Sequence, residues 1–533
     1  MPGRHRGVPL ALLIGLAMSP CLFAGKEFLA GPGEQVAPNQ LVVGLRAGAD
    51  INQIVAALVP QALASPAGSH LNTYLLQLPP GIQAAASKLL AAHPLVNFVE
   101  PNHILHTTVL PPNDSLLTSQ WDLTTVQAVQ AWSYLPDRYL TAATAGTSRV
   151  MVALIDTGVD CTHPDFMNAG GTSTNSALGG QLSWTLSQAL VVTTISSPCQ
   201  PWQDDIGHGT HTGGTIAAAT NNATGVASTG FPLQLIVYKV FDTSGKATDS
   251  IIATAIDDAV NAGAQVISMS LGGPGYSQAL QQAMDYAWEH NVLVVAAAGN
   301  SGDNSLQYPG GGNHVLGVSA TDSSNALASF STYGNWIKIA APGVNILSTL
   351  PTYVTPIGGT NYGYLSGTSM ATPHVAAAGG LLYMLYPNLS VAEIAQRLQQ
   401  TAQTPFTGWD QHIGYGVVNA GAALGGASPT ATQGSLVGQV TDPFGNPITG
   451  AVVTAGSLSF TTAVDPNTGN DDGLFRLANL NPGTYSVMVT ATGYSAVNMQ
   501  AVVVAGADTM LTIPMGVSLG EFTGCLLYTS RCV

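Results

Sequence analysis

The chain has 533 residues, with 13 Lys and Arg against 28 Asp and Glu and a formal net charge of −15. That acidity excludes nucleic acid as a default partner, because phosphate recognition needs a basic face. Hydrophobic residues make up 46%, yet no uninterrupted apolar run reaches the roughly 18–20 residues of a spanning helix, so a membrane span is not expected and the length suits two to four globular domains.

Arg4 and Arg6 precede an apolar run from Val8 to Met18, and small residues follow at Ala24 and Gly25. This reads as an export signal over 1–24, so a secreted, extracellular protein is expected. Pro20 stands just before Cys21, where a lipid-anchor signal wants a small, flexible residue. Export permits disulfides. With Cys21 in the signal and Cys525 and Cys532 at the tail, Cys161 and Cys199 are the expected pair; the alternative is two unlinked small hydrophobes.

Residues 25–108 alternate strand-like and helix-like segments: LVVGL at 41–45, INQIVAAL at 51–58, TYLLQL at 73–78, IQAAASKLLAAH at 82–93 and the strand VNFVEPNHIL. They predict a small α+β module. Pro111, Pro112 and Asn113 mark its boundary. From 109 to 425 near-continuous apolar runs at 149–156, 233–241, 265–271, 291–299 and 314–320 read as strands buried on both faces, with helices at 248–262 and 276–290 between them. The expected fold is α/β, a doubly wound, mainly parallel sheet whose functional crevice lies beyond the carboxyl ends of the strands. A small-residue linker at 426–434 leads to short strands and turn signals over 435–515, which predict a β-sandwich. The tail, 516–533, ends in CLLYTSRCV, is unlike the rest, and reads as an artefactual end.

Three segments carry chemistry, each where a strand ends or a helix begins. LIDTGVD ends an apolar strand in Asp156, HGTHTGG opens a helix with His208, and SGTSMATPHVA places Ser369 at a helix start with Pro373 in its first turn. A serine hydroxyl is a weak nucleophile near neutral pH. It needs an imidazole to take its proton and a carboxylate to fix the imidazole tautomer. The transition state also needs donors for the developing oxyanion, and Asn300 in AAAGN could supply one beside the Ser369 backbone N–H.

These four motifs, in the order Asp, His, Asn, Ser, resemble those of subtilisin-like serine proteases. The resemblance implies that Asp156 orients the base, His208 acts as general base and then acid, Ser369 attacks the scissile carbonyl, and Asn300 stabilises the oxyanion with support from Thr368. It also implies that a peptide strand pairs with Ser270, Leu271 and Gly272 on one side and Gly245 on the other. Ala298 and Gly299 would wall the primary specificity pocket, with Gln307 near its base. No fixed charge marks that pocket, so broad specificity with an apolar or aromatic preference is expected. Asp165 and Asn221, with Asn222, resemble the family's calcium site, so a structural calcium is expected against an Asx-turn alternative; no cofactor is required for chemistry. DPNTGNDDG at 465–473 lacks a glycine at its sixth position and has Arg476 where a bidentate Glu is required, so it reads as a hairpin turn.

Blander roles are expected for the neighbours: His211 and His374 as core histidines, Met370 as packing, Asp204 and Asp205 as solvated charges at a helix start. The 25–108 module resembles an inhibitor propeptide that would act as an intramolecular inhibitor of the chain's own protease and be removed by autocleavage between His103 and Pro112. The 435–515 module resembles carboxypeptidase-regulatory-like domains and is expected to be a spacer or weak adhesive. The expected molecule is a monomeric secreted endopeptidase with protein or peptide substrates, made as a zymogen. A sedolisin-type peptidase would need Glu in place of His208; a non-catalytic adhesin or pseudo-protease working through the β domain is the other alternative.

Overall fold

The computed structural model describes residues 36–67, 71–103, 112–135, 150–166, 187–190, 201–427, 431–463 and 472–518. The expected signal, the segment 104–111 in which autocleavage is expected, Cys199, most of the 465–473 turn and the tail from 519 lie outside them. Two compact units divide the chain, Met1–His106 and Thr107–Val533.

In the first unit, β1 (Val36–Leu45), β2 (Leu63–Pro66), β3 (Thr73–Gln77) and β4 (Val96–His103) form an antiparallel sheet in the order β2-β3-β1-β4. Two helices, α1 (Ile51–Leu58) and α2 (Gln83–Ala91), accompany it. Alternation turns Leu41, Val43 and Leu45 to one face of β1, where they share a core with Ile54, Val55 and Leu90 of the helices. Asp50 starts α1 by accepting the Asn52 N–H at 2.9 Å, which satisfies one of the orphan donors of the first turn.

The second unit begins with two short helices, α3 (Trp121–Thr125) and α4 (Ala128–Ser133), and is built on seven parallel strands. These are β5 (Met151–Asp156), β6 (Gln188–Ala189), β7 (Gln234–Lys239), β8 (Val266–Met269), β9 (Leu293–Ala297), β10 (Val315–Thr321) and β11 (Ile339–Pro342), in the order β11-β10-β9-β8-β5-β7-β6. Side chains of β5 alternate between two cores. Val152 and Leu154 meet Ala376, Ala377 and Leu381 of α8 (Thr368–Leu385), while Ala153 and Ile155 meet Ile252 and Ile256 of the helix Asp249–Asn261. Burial on both faces explains the near-continuous apolar strands. From β5 the chain runs to β6 and β7 on one side and then to β8 on the other, so the topological switch lies between β5 and β8.

Further elements of this body are α5 (His208–Ala217), α6 (the helix Asp249–Asn261 just named), α7 (Gln278–Glu289), the hairpin β12 (Ile346–Leu350) and β13 (Asn361–Leu365), α9 (Val391–Gln400) and α10 (Ala420–Gly425). Ser390 and Glu393 form a reciprocal capping box on α9.

Residues from 434 form two sheets over one core. The first contains β14 (Gly434–Thr441), β17 (Leu474–Leu480) and β20 (Asp508–Pro514); the second contains β15 (Val452–Ala455), β16 (Leu458–Thr461), β18 (Gly483–Thr490) and β19 (Val497–Val503). Leu436, Val440 and Phe475 of the first meet Val453, Val487 and Val503 of the second. This domain is fastened to the catalytic body through buried charge. Arg476 binds Asp508 with two 2.8 Å hydrogen bonds and donates to the Asn335 carbonyl, while its guanidinium lies 4.4 Å from the Trp409 ring. Gln399 of α9 donates to Asp508 Oδ2 and accepts the Asp508 N–H.

Candidate active site

The carboxyl ends of β5, β8 and β9 and the amino ends of α5 and α8 meet beside the topological switch. Asp156 is the last residue of β5 and is 1% exposed, a position that is costly for a carboxylate unless donors meet it. Its Oδ1 accepts the Thr157 N–H at 2.7 Å and lies 2.8 Å from His208 Nδ1; its Oδ2 accepts the Thr212 hydroxyl at 3.1 Å. His208 opens α5 and is partly exposed. Burial lowers its pKa, but the charge and hydrogen bond of Asp156, with the charge of Asp204, leave it above the ordinary imidazole value.

Asp204 and Asp205 are buried rather than solvated, which corrects the sequence expectation. Asp204 accepts from the hydroxyls of Thr157 and Thr210 and from the N–H groups of Ile206, Gly207 and Thr210. Asp205 accepts from Lys239 Nζ at 2.6 Å, and that ammonium also donates to the Thr157 carbonyl. The turn that carries Asp156 and the start of α5 are thereby tied together. Gly158 supports this approach: its φ is +107°, and a Cβ there would stand 2.6 Å from the Trp202 carbonyl.

Ser369 is the second residue of α8, and its Oγ donates to the Ser270 carbonyl at 3.2 Å. Ser270 follows β8, the strand beside β5. Pro373 lies in the second turn, not the first, because the helix starts at Thr368. It has no N–H to give to the Ser369 carbonyl four residues back. The Ser270 hydroxyl takes that carbonyl instead, at 2.7 Å.

Asn300 is exposed just past β9. Its Oδ1 accepts both the N–H and the hydroxyl of Thr368, at 2.9 and 3.0 Å, and the same hydroxyl accepts the Gly299 N–H at 3.1 Å. With Oδ1 engaged, Nδ2 is the donor left to the cleft.

Ala298 is buried, and Gly299 has a φ of +100°. A Cβ on Gly299 would meet Gln307 Cγ at 2.8 Å, and one on Gly272 would lie 4.0 Å from Gln307 Cβ, so Gln307 stands between the two glycines. Leu271 is half-buried and Gly272 exposed. Gly245 is in the exposed turn closed by Asp242 and Lys246. His211 is buried, faces the carbonyls of Ile346 and Gly363, and is held neutral by burial, which lowers its pKa to about 3. His374 is buried beside the Thr229 hydroxyl.

Asp165 is buried and receives the Val226 N–H and the Asn222 amide, while Asn221 instead accepts the Asn113 N–H through its side chain. Sequence reasoning missed Asp114, which accepts the N–H groups of Asn221 and Asn222 and whose charge acts on Asp165. Among the described residues, no group of three His, Cys, Asp or Glu side chains forms a metal cluster. Cys161 is buried, and the expected partner Cys199 is outside the described residues.

The sequence model of the subtilase family matches residues 147–416, about half of the chain. The chain belongs to the subtilase family. Residues 26–102 match the fervidolysin N-terminal prodomain and 435–516 the carboxypeptidase regulatory-like domain. Thermitase from Thermoactinomyces vulgaris is 38% identical over 314 residues, 59% of this chain and 99% of that protein. A thermophilic serine proteinase from Bacillus sp. (strain AK1) is 36% identical over 363 residues, 67% of this chain and 80% of that one. The crystal structure of fervidolysin from Fervidobacterium pennivorans, described as a keratinolytic enzyme related to subtilisin, is similar in fold, with a TM-score of 0.52 and 24% identity, covering 92% of this chain and 80% of its own. This subtilase is therefore a subtilisin-like serine endopeptidase with a prodomain, consistent with a zymogen.

Proposed function

We propose that the chain is a secreted endopeptidase that hydrolyses peptide bonds through Asp156, His208 and Ser369, with Asn300 in the oxyanion hole. The 2.8 Å Asp156–His208 hydrogen bond at the rim that also holds Ser369 carries this reading. For attack, Ser369 Oγ turns from the Ser270 carbonyl to His208 Nε2, gives up its proton there, and bonds to the scissile carbon. The carbonyl oxygen takes the negative charge, opposite Asn300 Nδ2 and the Ser369 N–H, one of the first-turn groups with no intrahelical acceptor. Collapse breaks the C–N bond, and the leaving amine takes the proton back from His208. Water, deprotonated by the same imidazole, then attacks the acyl carbon; the C–Oγ bond breaks, His208 returns the proton to Ser369 Oγ, and the acid leaves. An uncharged wall of Ala298, Gly299 and Gln307 favours broad specificity with apolar or aromatic side chains.

A serine-directed phosphonate should label the full chain, and Ser369→Ala should abolish both the label and removal of the prodomain. Labelling that survives this change would overturn the assignment.

The reading includes a monomer, a Cys161–Cys199 disulfide of the kind an exported chain permits, and a structural calcium held by Asp165 and Asp114 with an amide oxygen of the 221–222 loop. These are hard oxygen donors of the kind calcium takes. Burial pushes Asp165 up to about 7, and the charge of Asp114 adds to the shift, an arrangement that a cation would relieve. Chelation should lower the Tm of Ser369→Ala protein by several degrees, and Asp165→Asn should remove that sensitivity. A melting curve indifferent to calcium would exclude the ion.

A further inference from the structure

The strand that forms the base of the proposed specificity pocket is held from outside the catalytic domain. Gln307 lies between Gly272 and Gly299, and the next residue, Tyr308, fixes the strand: its N–H and carbonyl both bond Gly273, at 2.7 and 2.8 Å. The Tyr308 side chain is 4% exposed. Its hydroxyl donates to Asp472 Oδ2 at 2.9 Å, a carboxylate that belongs to the C-terminal β-sandwich. Asp472 is itself placed by the Leu474 N–H on its Oδ1, where β17 begins.

A second bond makes the contact a clamp. Gln439 of β14 uses its amide both on the Asp472 carbonyl, at 2.6 Å, and on the Tyr276 hydroxyl, at 2.9 Å. Tyr276 stands edge-on to Tyr308, with ring centroids 5.4 Å apart. Tyr276 follows the Ser270–Gly273 segment, and Tyr308 follows Gln307, so the sandwich grips the segment behind each wall. Further along the second loop, Asn313 Nδ2 donates to the Thr512 hydroxyl of β20 at 3.1 Å. Asp472 lies in the segment whose sequence suggested no more than a hairpin turn.

We propose that the C-terminal β-sandwich is a positioning element of the specificity pocket, with Asp472 as its principal positioning residue. The hydrogen bond from Tyr308 is charge-assisted and shielded from water, so it fixes the strand more firmly than a neutral surface contact would. Its loss leaves Gln307 free to shift by a fraction of an ångström. A shift of that size matters most for a substrate side chain that fills the pocket, and hardly at all for one that does not reach it. The proposal rests on the cleft assigned above.

The test uses the full chain and two peptides that differ only in the residue before the scissile bond, Phe or Ala. Asp472→Ala should lower the Phe-to-Ala ratio of kcat/KM by about 10-fold, mainly through KM for the Phe peptide. Hydrolysis of the Ala peptide should stay within about twofold. Asp472→Asn, which keeps an acceptor for Tyr308, should recover most of the ratio, a rescue that a merely destabilised domain would not show. Adding Tyr308→Phe to Asp472→Ala should lower the ratio no further, because both remove one bond. If Asp472→Ala does not fold, Gln439→Leu, which cuts the Tyr276 arm, is read in the same way. A ratio unchanged in the folded variant, or equal losses on both peptides, overturns the proposal while phosphonate labelling at Ser369 remains intact. A parent chain that neither labels nor cleaves overturns the cleft assignment and the proposal with it.

Discussion

His208 faces two carboxylates with different duties: Asp156 binds its Nδ1, and Asp204 acts on it only through its field. Both favour the imidazolium and outweigh burial, which disfavours it, so the pKa stands above 6.5. In the mechanism proposed above, the base must be neutral to take the Ser369 proton, so activity should fall below that pKa and rise with pH through it. The acid limb of kcat/KM should therefore have its midpoint above 6.5, and Asp156→Asn should move it down. A wild-type midpoint at or below 6.5 would contradict the geometry. The places of Asp156, His208, Asn300 and Ser369 at or just past strand ends and helix starts were legible in the sequence, because a motif isolates each. Asp114 was not, because its partners Asn221 and Asn222 lie more than a hundred residues away and nothing local marks it.

At the start of α5, Asp204 is the acceptor that closes the turn. Two hydroxyls and three N–H groups converge on it. Burial raises its pKa, and the donors offset part of that rise. Replacing it with Ala strands several buried donors, each costly without a partner. Asp204→Ala should cost about 3–5 kcal/mol, read from urea melts in a Ser369→Ala background, where self-digestion is absent. A loss below about 1 kcal/mol would mean that water replaces the carboxylate. The sequence misjudged this pair because two acidic residues in a polar stretch before a helix look solvated, and the groups that meet them come from the turn after β5, the start of α5 and β7. Strands β5 and β7–β10 were legible for the opposite reason: burial on both faces leaves an apolar run that needs no context. The four-residue strand β11, IAAP, and the hairpin of β12 and β13 had no such signal, since the hairpin partner NYGYL is exposed or half-buried along its length.

Across the whole second unit, the join between the catalytic body and the sandwich gathers Arg476, Asp508 and Lys338. Burial lowers the Lys338 pKa to about 7, and the Arg476 charge lowers it further than the carboxylate of Asp508, 3.9 Å away, restores it. An unfolded lysine titrates near 10.5, so between about pH 7 and 10 the unfolded chain binds more protons than the folded one. Stability should then rise with pH in that window, by up to about 1.4 kcal/mol per pH unit; below pH 7 both states are charged and the slope vanishes. Denaturation of Ser369→Ala protein at pH 7, 8 and 9 should show the slope, and Lys338→Met should remove it. Identical pH dependence in the two proteins would locate the titration elsewhere. No sequence pattern announced this join, because its members are single charges 32 to 170 positions apart that become neighbours only when the sandwich closes. That closure has an order in time. The parallel partner of β14, the first strand of the sandwich, is β20, its last. A ribosome emitting this chain makes Lys338 and Arg476 before Asp508, so both cations wait for their shared carboxylate until the last strand of the sandwich is synthesised, seconds later.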